Sequence, residues 1–286
     1  MLKRKQFLWL PLAIGLLAIT LNSCAISKPD ELETPTLGTP TAATLHAIIV
    51  ADTLNQINPD EEPSVIHADK DVKNLKAMFN VVAQATGLKL NLIVLDGEVI
   101  VPQGKGREKV LATIEGLRPN SDDVVVFHYA GHGVMDHKGG PWPEMELQGL
   151  GTPSEGLLQL SKVKDVLEKQ SPRLLLVMAD TCNQYDMTTR GRDDIIKLEP
   201  GTENAYNALF LKHQGVIIAS GSKRGQLAYG NNHGGLFTQG FLDSLQKEVR
   251  SPSAPKWENI MTNTRKWVNE IVPAQIPQVI LKVDGL

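Results

Sequence analysis

The sequence predicts an α/β protein: a mostly parallel central sheet of six strands with helices on both faces. Two observations carry that prediction. Six short, apolar, β-rich runs recur along the chain, and helical segments separate them, so right-handed crossovers would lay helices on either side of one sheet. The length agrees, because residues 44–286 are enough for one sizeable hydrophobic core.

The first run, "LHAIIVA" at 45–51, suits a buried strand. In 69–85, Val72, Leu75, Met78, Phe79 and Val82 fall at spacings of three and four, the signature of an amphipathic helix. Gly87 stops it, and "LKLNLIVL" at 88–95 is the next strand. A helix at about 106–117 leads into a strand at 122–129 with a Val-Val-Val-Phe centre. A helix near 161–170, a strand "RLLLVMA" at 173–179, a helix near 202–212 and a strand "GVIIAS" at 215–220 continue the alternation. Helices near 235–249 and 256–271 precede the last strand, "QVILKV" at 278–283. In such sheets reactive groups gather in loops beyond the carboxyl ends of the strands. His132 follows the strand ending near Tyr129, and Cys182 the one ending near Ala179.

Before the fold lie two segments of different character. Lys3, Arg4 and Lys5 precede an apolar run of about fifteen residues, shorter than the roughly twenty that span a bilayer, which is the layout of an export signal over 1–23. Its end, "LNSC" at 21–24, resembles the bacterial lipobox: Leu21 and Ser23 fit, Asn22 is a less usual middle residue, and the resemblance makes Cys24 a lipidated first residue. Acyl chains on Cys24 would hold the protein to a membrane on the extracytoplasmic side of a bacterial cell envelope. Residues 24–43 are rich in Pro and Thr, without apolar period, and are expected to be a disordered tether.

The formal charge is −3, and losing Lys3, Arg4 and Lys5 with the signal takes it to about −6. With no basic stripe, nucleic acid is excluded as the expected partner. The only cysteines are Cys24 and Cys182, so Cys182 is a thiol without an intramolecular disulfide partner in an exported chain.

A cysteine nucleophile needs a base to take its proton, and His132 is the candidate. Gly131 and Gly133 flank it and would let the backbone turn tightly and bring an amide close to a substrate carbonyl, completing a Cys–His dyad with donors around the oxygen. The bland alternative is a buried cysteine and a turn histidine, but Asp180, Thr181, Asn183 and Gln184 surround Cys182 with polarity. A zinc site from His128, His132, His137 and Cys182 is disfavoured. His128 and His132 are four apart across a strand end, and the Glu of the zinc-hydrolase helix motif is missing.

"FHYAGHG" followed by "LLVMADTCNQ" resembles the caspase-like cysteine peptidase superfamily, and more closely its bacterial metacaspase-like members, whose motifs read "SGHG" and "DSCHSG". Ala130, Thr181 and Asn183-Gln184-Tyr185 depart from those motifs, while the separation of 132 and 182 matches the spacing of about 50 residues in this superfamily. "ADKDVKNLKAMF" at 68–79 and the segment 217–245, with Gly235-Leu236-Phe237-Thr238, extend the similarity over most of 44–286. The resemblance implies a caspase-like three-layer sandwich and a cysteine endopeptidase acting on protein or peptide. It makes Cys182 the nucleophile, His132 the general base and acid, Gly133 N–H and Cys182 N–H the oxyanion donors, and Asp180 the floor of the first specificity pocket.

Asp180 implies cleavage after Arg or Lys, with Gln226 among the substrate-binding residues. Relatives of that preference carry a second acid at a position that here is Gly230, which leaves the pocket to Asp180 alone, to another carboxylate such as Asp186, or to a different residue. Autoprocessing after Arg190, Arg192 or Lys197 is a further implication. No cofactor is required. Calcium is left open by Asp69, Asp71, Asp122, Asp123 and Asp186, which lack EF-hand spacing. Two other functions fit the same residues: a catalytically inactive peptide- or protein-binding domain on the envelope, and acyl transfer or hydrolysis of a non-peptide ester or amide.

Overall fold

A computed structural model describes residues 42–52, 64–97, 104–147, 152–184 and 201–285. The chain divides into two units, Met1–Pro40 and Thr41–Leu286. The expected signal, Cys24 and nearly all of the tether lie in the first, outside the described residues. In the second, the elements run β1 (Thr44–Ala51), α1 (Ser64–Thr86), β2 (Lys89–Leu95), α2 (Gly106–Gly116), β3 (Val124–Ala130), β4 (Gly133–Val134), β5 (Glu144–Glu146) and β6 (Leu157–Gln159). They continue with α3 (Leu160–Glu168), β7 (Leu174–Asp180), α4 (Glu203–Leu211), β8 (His213–Ser220), β9 (Gly230–Asn231), β10 (Gly234–Gly235), α5 (Leu236–Val249), α6 (Trp257–Ile271) and β11 (Gln278–Gly285).

The six apolar runs form one sheet in the order β11-β8-β7-β3-β1-β2, parallel except for β11 against β8. The central strands β3 and β7 are buried along their whole length, which is why they read as continuous apolar runs rather than as an alternation. Their side chains still divide between two faces. Val124, Val126 and Ala130 of β3 join the core under α1, α4, α5 and α6, with Phe79, Phe210, Phe241 and Trp257. Val125, Phe127 and Tyr129 join the core under α2 and α3, with Val110, Ile114, Val163 and Leu167.

Asp123 levels the amino ends of these strands. Its carboxylate accepts from Thr44 N at 2.7 Å, Asn120 N at 2.7 Å and the His46 ring at 3.1 Å, and its carbonyl accepts from Arg173 N at 3.0 Å. Burial raises the Asp123 carboxyl, but the bonds from Thr44, Asn120 and His46 outweigh it and hold the group below its usual range. With β1, β3 and β7 starting level and running parallel, they also end level. The strand order reverses between β1 and β3, and in sheets of this kind ligands bind beyond the carboxyl ends of the strands near such a reversal.

Two small sheets had no counterpart in the sequence reading: β4-β5-β6, and the β9-β10 hairpin. Strands of two or three residues are too short to show a period. No helix among the described residues is long and apolar enough to cross a membrane.

Candidate active site

The pairing of β3 with β7 runs from Val124 against Leu174 to Ala130 against Asp180, and Gly131 N extends it by donating to Asp180 O at 3.3 Å. His132 and Cys182 each lie two residues past this last pair, so the register carries both to the same end of the sheet with equal reach. The short sheet beyond β3 then holds the histidine loop. His132 O accepts from Glu146 N at 3.1 Å, and the fully buried Tyr129 hydroxyl lies 2.6 Å from His132 O and 3.0 Å from Glu146 O. Gly133 is required by close approach: a Cβ there would sit 2.2 Å from Thr181 Oγ1 and 3.0 Å from Glu144 O.

Cys182 is half-buried between this loop and a wall formed by 221–228. Its thiol donates to Ala228 O at 3.5 Å, and Ala228 N donates back to the sulfur at 3.4 Å. Asn183 N bonds Gln226 O at 2.9 Å, Gly225 N bonds Asn183 O at 2.7 Å, and Ser222 Oγ donates to Thr181 O at 3.1 Å. Gln226 thus reaches the site through its backbone, while its side-chain oxygen accepts from Ile276 N at 3.1 Å. Burial, with smaller contributions from the Asp180 and Glu146 charges, pushes the Cys182 thiol up to about 11. Burial also lowers His132 below its usual value. Both shifts favour the uncharged thiol and uncharged imidazole in the resting site.

Asp180 ends β7 with its carboxylate turned into a buried polar network. Oδ2 accepts from Thr238 N at 2.8 Å and Thr238 Oγ1 at 2.9 Å, near the start of α5. Beside it lies Asp71 of α1, whose two oxygens accept from Gly235 N at 3.1 Å each. Burial lifts the Asp180 carboxyl to about 6 despite the Thr238 bonds. Asp71 is pushed well above the carboxylate range by burial first and the Asp180 charge second. Sequence reasoning did not place Asp71 here. The signal was available: Asp71 precedes Leu75, Met78 and Val82 at spacings of four, three and four, a carboxylate on the apolar stripe of a helix.

The remaining candidates disperse. His128 is fully buried on β3 and faces Thr238 Oγ1 at 3.1 Å, whereas His137 is exposed and bonds Glu144 at 2.8 Å. Burial takes His128 down to about 3, so its ring is neutral. Of the acids considered for calcium, Asp69 pairs with Lys73, Asp71 meets Asp180, and Asp122 and Asp123 sit at the opposite end of the sheet. Asp186, Arg190, Arg192 and Lys197 lie outside the described residues. Among the described residues, Asp136, His137 and Glu144 are the one group spaced to share a cation. The Asp136 oxygens there already accept from Lys138 N, Gly140 N and Gln159 Nε2.

The sequence matches the family model described as "Caspase domain" over residues 55–283. No curated protein sequence matches it. Among solved structures, caspase-1 from Spodoptera frugiperda is similar at 14% identity, with 83% of this chain and 88% of that chain covered and a TM-score of 0.50, a likeness of fold. A protein from Geobacter sulfurreducens is similar at 16% identity, with 84% and 93% covered and a TM-score of 0.49.

Proposed function

Because the chain belongs to the caspase-domain family, we propose that it is a cysteine endopeptidase in which Cys182 attacks the scissile carbonyl and His132 moves the proton. The observation that carries this is the β3–β7 register, which sets a histidine and a lone cysteine at equal reach past adjacent strand ends. His132 takes the thiol proton as the C–S bond forms and returns it to the leaving amine. Water, deprotonated by the same ring, then releases the acyl group. Gly133 N–H and Cys182 N–H are the oxyanion donors, each worth about 3 kcal/mol in the transition state.

The substrate side chain before the scissile bond is Arg or Lys, facing Asp180 with Asp71 behind it. These two buried carboxylates would repel an acidic side chain and leave a neutral one without compensation for their desolvation. Exported and acylated at Cys24, the enzyme would work at the extracytoplasmic face of a membrane, without a required cofactor.

The test is hydrolysis of fluorogenic peptide amides bearing Arg, Lys, Asp or Leu before the leaving group, by the chain and by Cys182→Ala, with and without calcium. Turnover that survives Cys182→Ala rejects the mechanism, and equal rates after Arg and Leu reject the pocket. The binding-domain reading draws on one observation, the thiol held up at about 11. Peptide binding with no turnover by the unmodified chain would favour it.

A further inference from the structure

The buried polar network behind Cys182 joins four elements through one hydroxyl. Thr238 of α5 donates to Asp180 at the end of β7 and interacts with Asp71 of α1. His128 of β3 stands 3.1 Å from the same oxygen. With the hydroxyl proton given to a carboxylate, its oxygen accepts from His128 Nε2–H, which leaves Nδ1 buried without a partner. Glycines collar the acids. A Cβ on Gly235 would lie 2.1 Å from Asp180 Oδ2, one on Gly234 2.3 Å from Asp71 Oδ1, and one on Gly221 2.9 Å from Asp180 Oδ1.

We propose that Thr238, backed by His128, is a specificity-positioning residue: it fixes Asp71 and Asp180 as a proton-sharing pair that a guanidinium or ammonium side chain discharges on entering, so that capture of a cationic residue releases one proton. This rests on the reading that Asp180 faces the residue before the scissile bond.

Two carboxylates in one buried site cannot both ionise without a counter-charge, and each raises the other. The titratable groups around Asp180 are Asp71 from α1, His128 from β3 through Thr238, and Cys182 from its own loop. His67 of α1 stands further off, against Gly230 and the Asn231 carbonyl. A neutral His128 donates a hydrogen bond but no charge, so the pair holds a proton until a cation arrives. The entering cation supplies the missing charge, both acids ionise, and the proton passes to solvent. Thr238 decides where this balance lies, because its N–H and O–H both stabilise the ionised form of Asp180. A merely structural role is the competing account, since Asp180 also satisfies an N–H in the first turn of α5.

Titration calorimetry on the full chain carrying Cys182→Ala separates the two. The probe is an acetylated peptide amide ending in arginine, beside its norleucine counterpart, near pH 6.5 in two buffers of different ionisation heat. The expected result is about one proton released with arginine and none with norleucine, and arginine affinity that rises about tenfold per pH unit below the pair's midpoint. Thr238→Val should move that midpoint upward, and Thr238→Ser should restore it. Absent proton release with arginine, no preference over norleucine, or a Thr238→Val protein whose affinity drops without a shift of midpoint overturns the proposal. Should Thr238→Val not fold, Asp71→Asn replaces it and must abolish the release while arginine still binds; release that persists there overturns the proposal as well. Binding as described, with no hydrolysis once Cys182 is restored, would remove the peptidase reading alone.

Discussion

The Tyr129 hydroxyl lies 2.6 Å from the carbonyl oxygen of His132, three residues on, and reaches it from the fully buried face of β3. That contact, with the Glu146 N–H bond to the same carbonyl, fixes the backbone that carries the proposed base. Tyr129→Phe keeps the ring and removes the hydroxyl. A lost buried hydrogen bond costs roughly 1 kcal/mol of stability, and the loosened loop should lower kcat about tenfold with KM little changed. Melting curves and steady-state kinetics on an arginine peptide amide check both, and an unchanged kcat would remove Tyr129 from any role in placing His132.

The approach of Gly133 to Thr181 sets the next expectation. Gly133→Ala drives a methyl against Thr181 Oγ1 and Cγ2 and should cost about 2 kcal/mol by overpacking, with loss of most activity. Thr181→Ala removes both of those atoms, so the double variant should recover part of the stability lost by the single one. Strict additivity of the two changes would show that their contact is not what forbids a side chain at 133.

How much of this could be read from the sequence follows from where information about each part is stored. The six strands and their helices were legible because buried parallel strands are written as apolar runs and amphipathic helices as three- and four-residue spacings. That His132 and Cys182 stand at neighbouring strand ends was legible because each follows such a run. Gly230 offers Asp180 no acid and Asp186 lies outside the described residues; among the described residues a carboxylate that meets Asp180 is Asp71, more than a hundred residues earlier on α1. Nothing local records that contact. It depends on α1 and the β9–β10 hairpin meeting across the end of the sheet, which the Asn74 bond to His233 O and the Asp71 bonds to Gly235 N express only in three dimensions. The Tyr129 latch was hidden similarly, since its partner strand β5 has three residues.

Thiol reactivity should report the resting state of the pair. With Cys182 pushed up to about 11 and His132 lowered, the thiol is protonated at neutral pH. Alkylation by iodoacetamide should therefore be slow at pH 7 and rise close to tenfold per pH unit through pH 9. A preformed thiolate–imidazolium pair would instead give a fast rate and a plateau at low pH. Mass spectrometry of the labelled residue against pH decides between them.

The acid pair also predicts an unusual dependence of stability on pH. Asp180 titrates at about 6 in the folded chain and near 3.8 when unfolded, and Asp71 is raised in the same sense. From about pH 4 upward the folded state keeps protons that the unfolded state has released, so the pair's contribution is fully present at low pH and is lost as pH rises through the folded values. Asp123, shifted downward, works in the opposite sense below this window; His128 and His132, lowered by burial, also gain stability as pH rises toward 6.5, equally in both proteins. Asp71→Asn retains an oxygen for Gly235 N–H and removes one of the two charges. It should be more stable than the unmodified chain at pH 8 by about 2 kcal/mol, with that advantage shrinking toward pH 5, and poorer in selecting arginine. Denaturant unfolding of both proteins across pH 5 to 8 measures the difference; a gap that stays constant over that range would mean that Asp71 and Asp180 do not share a proton.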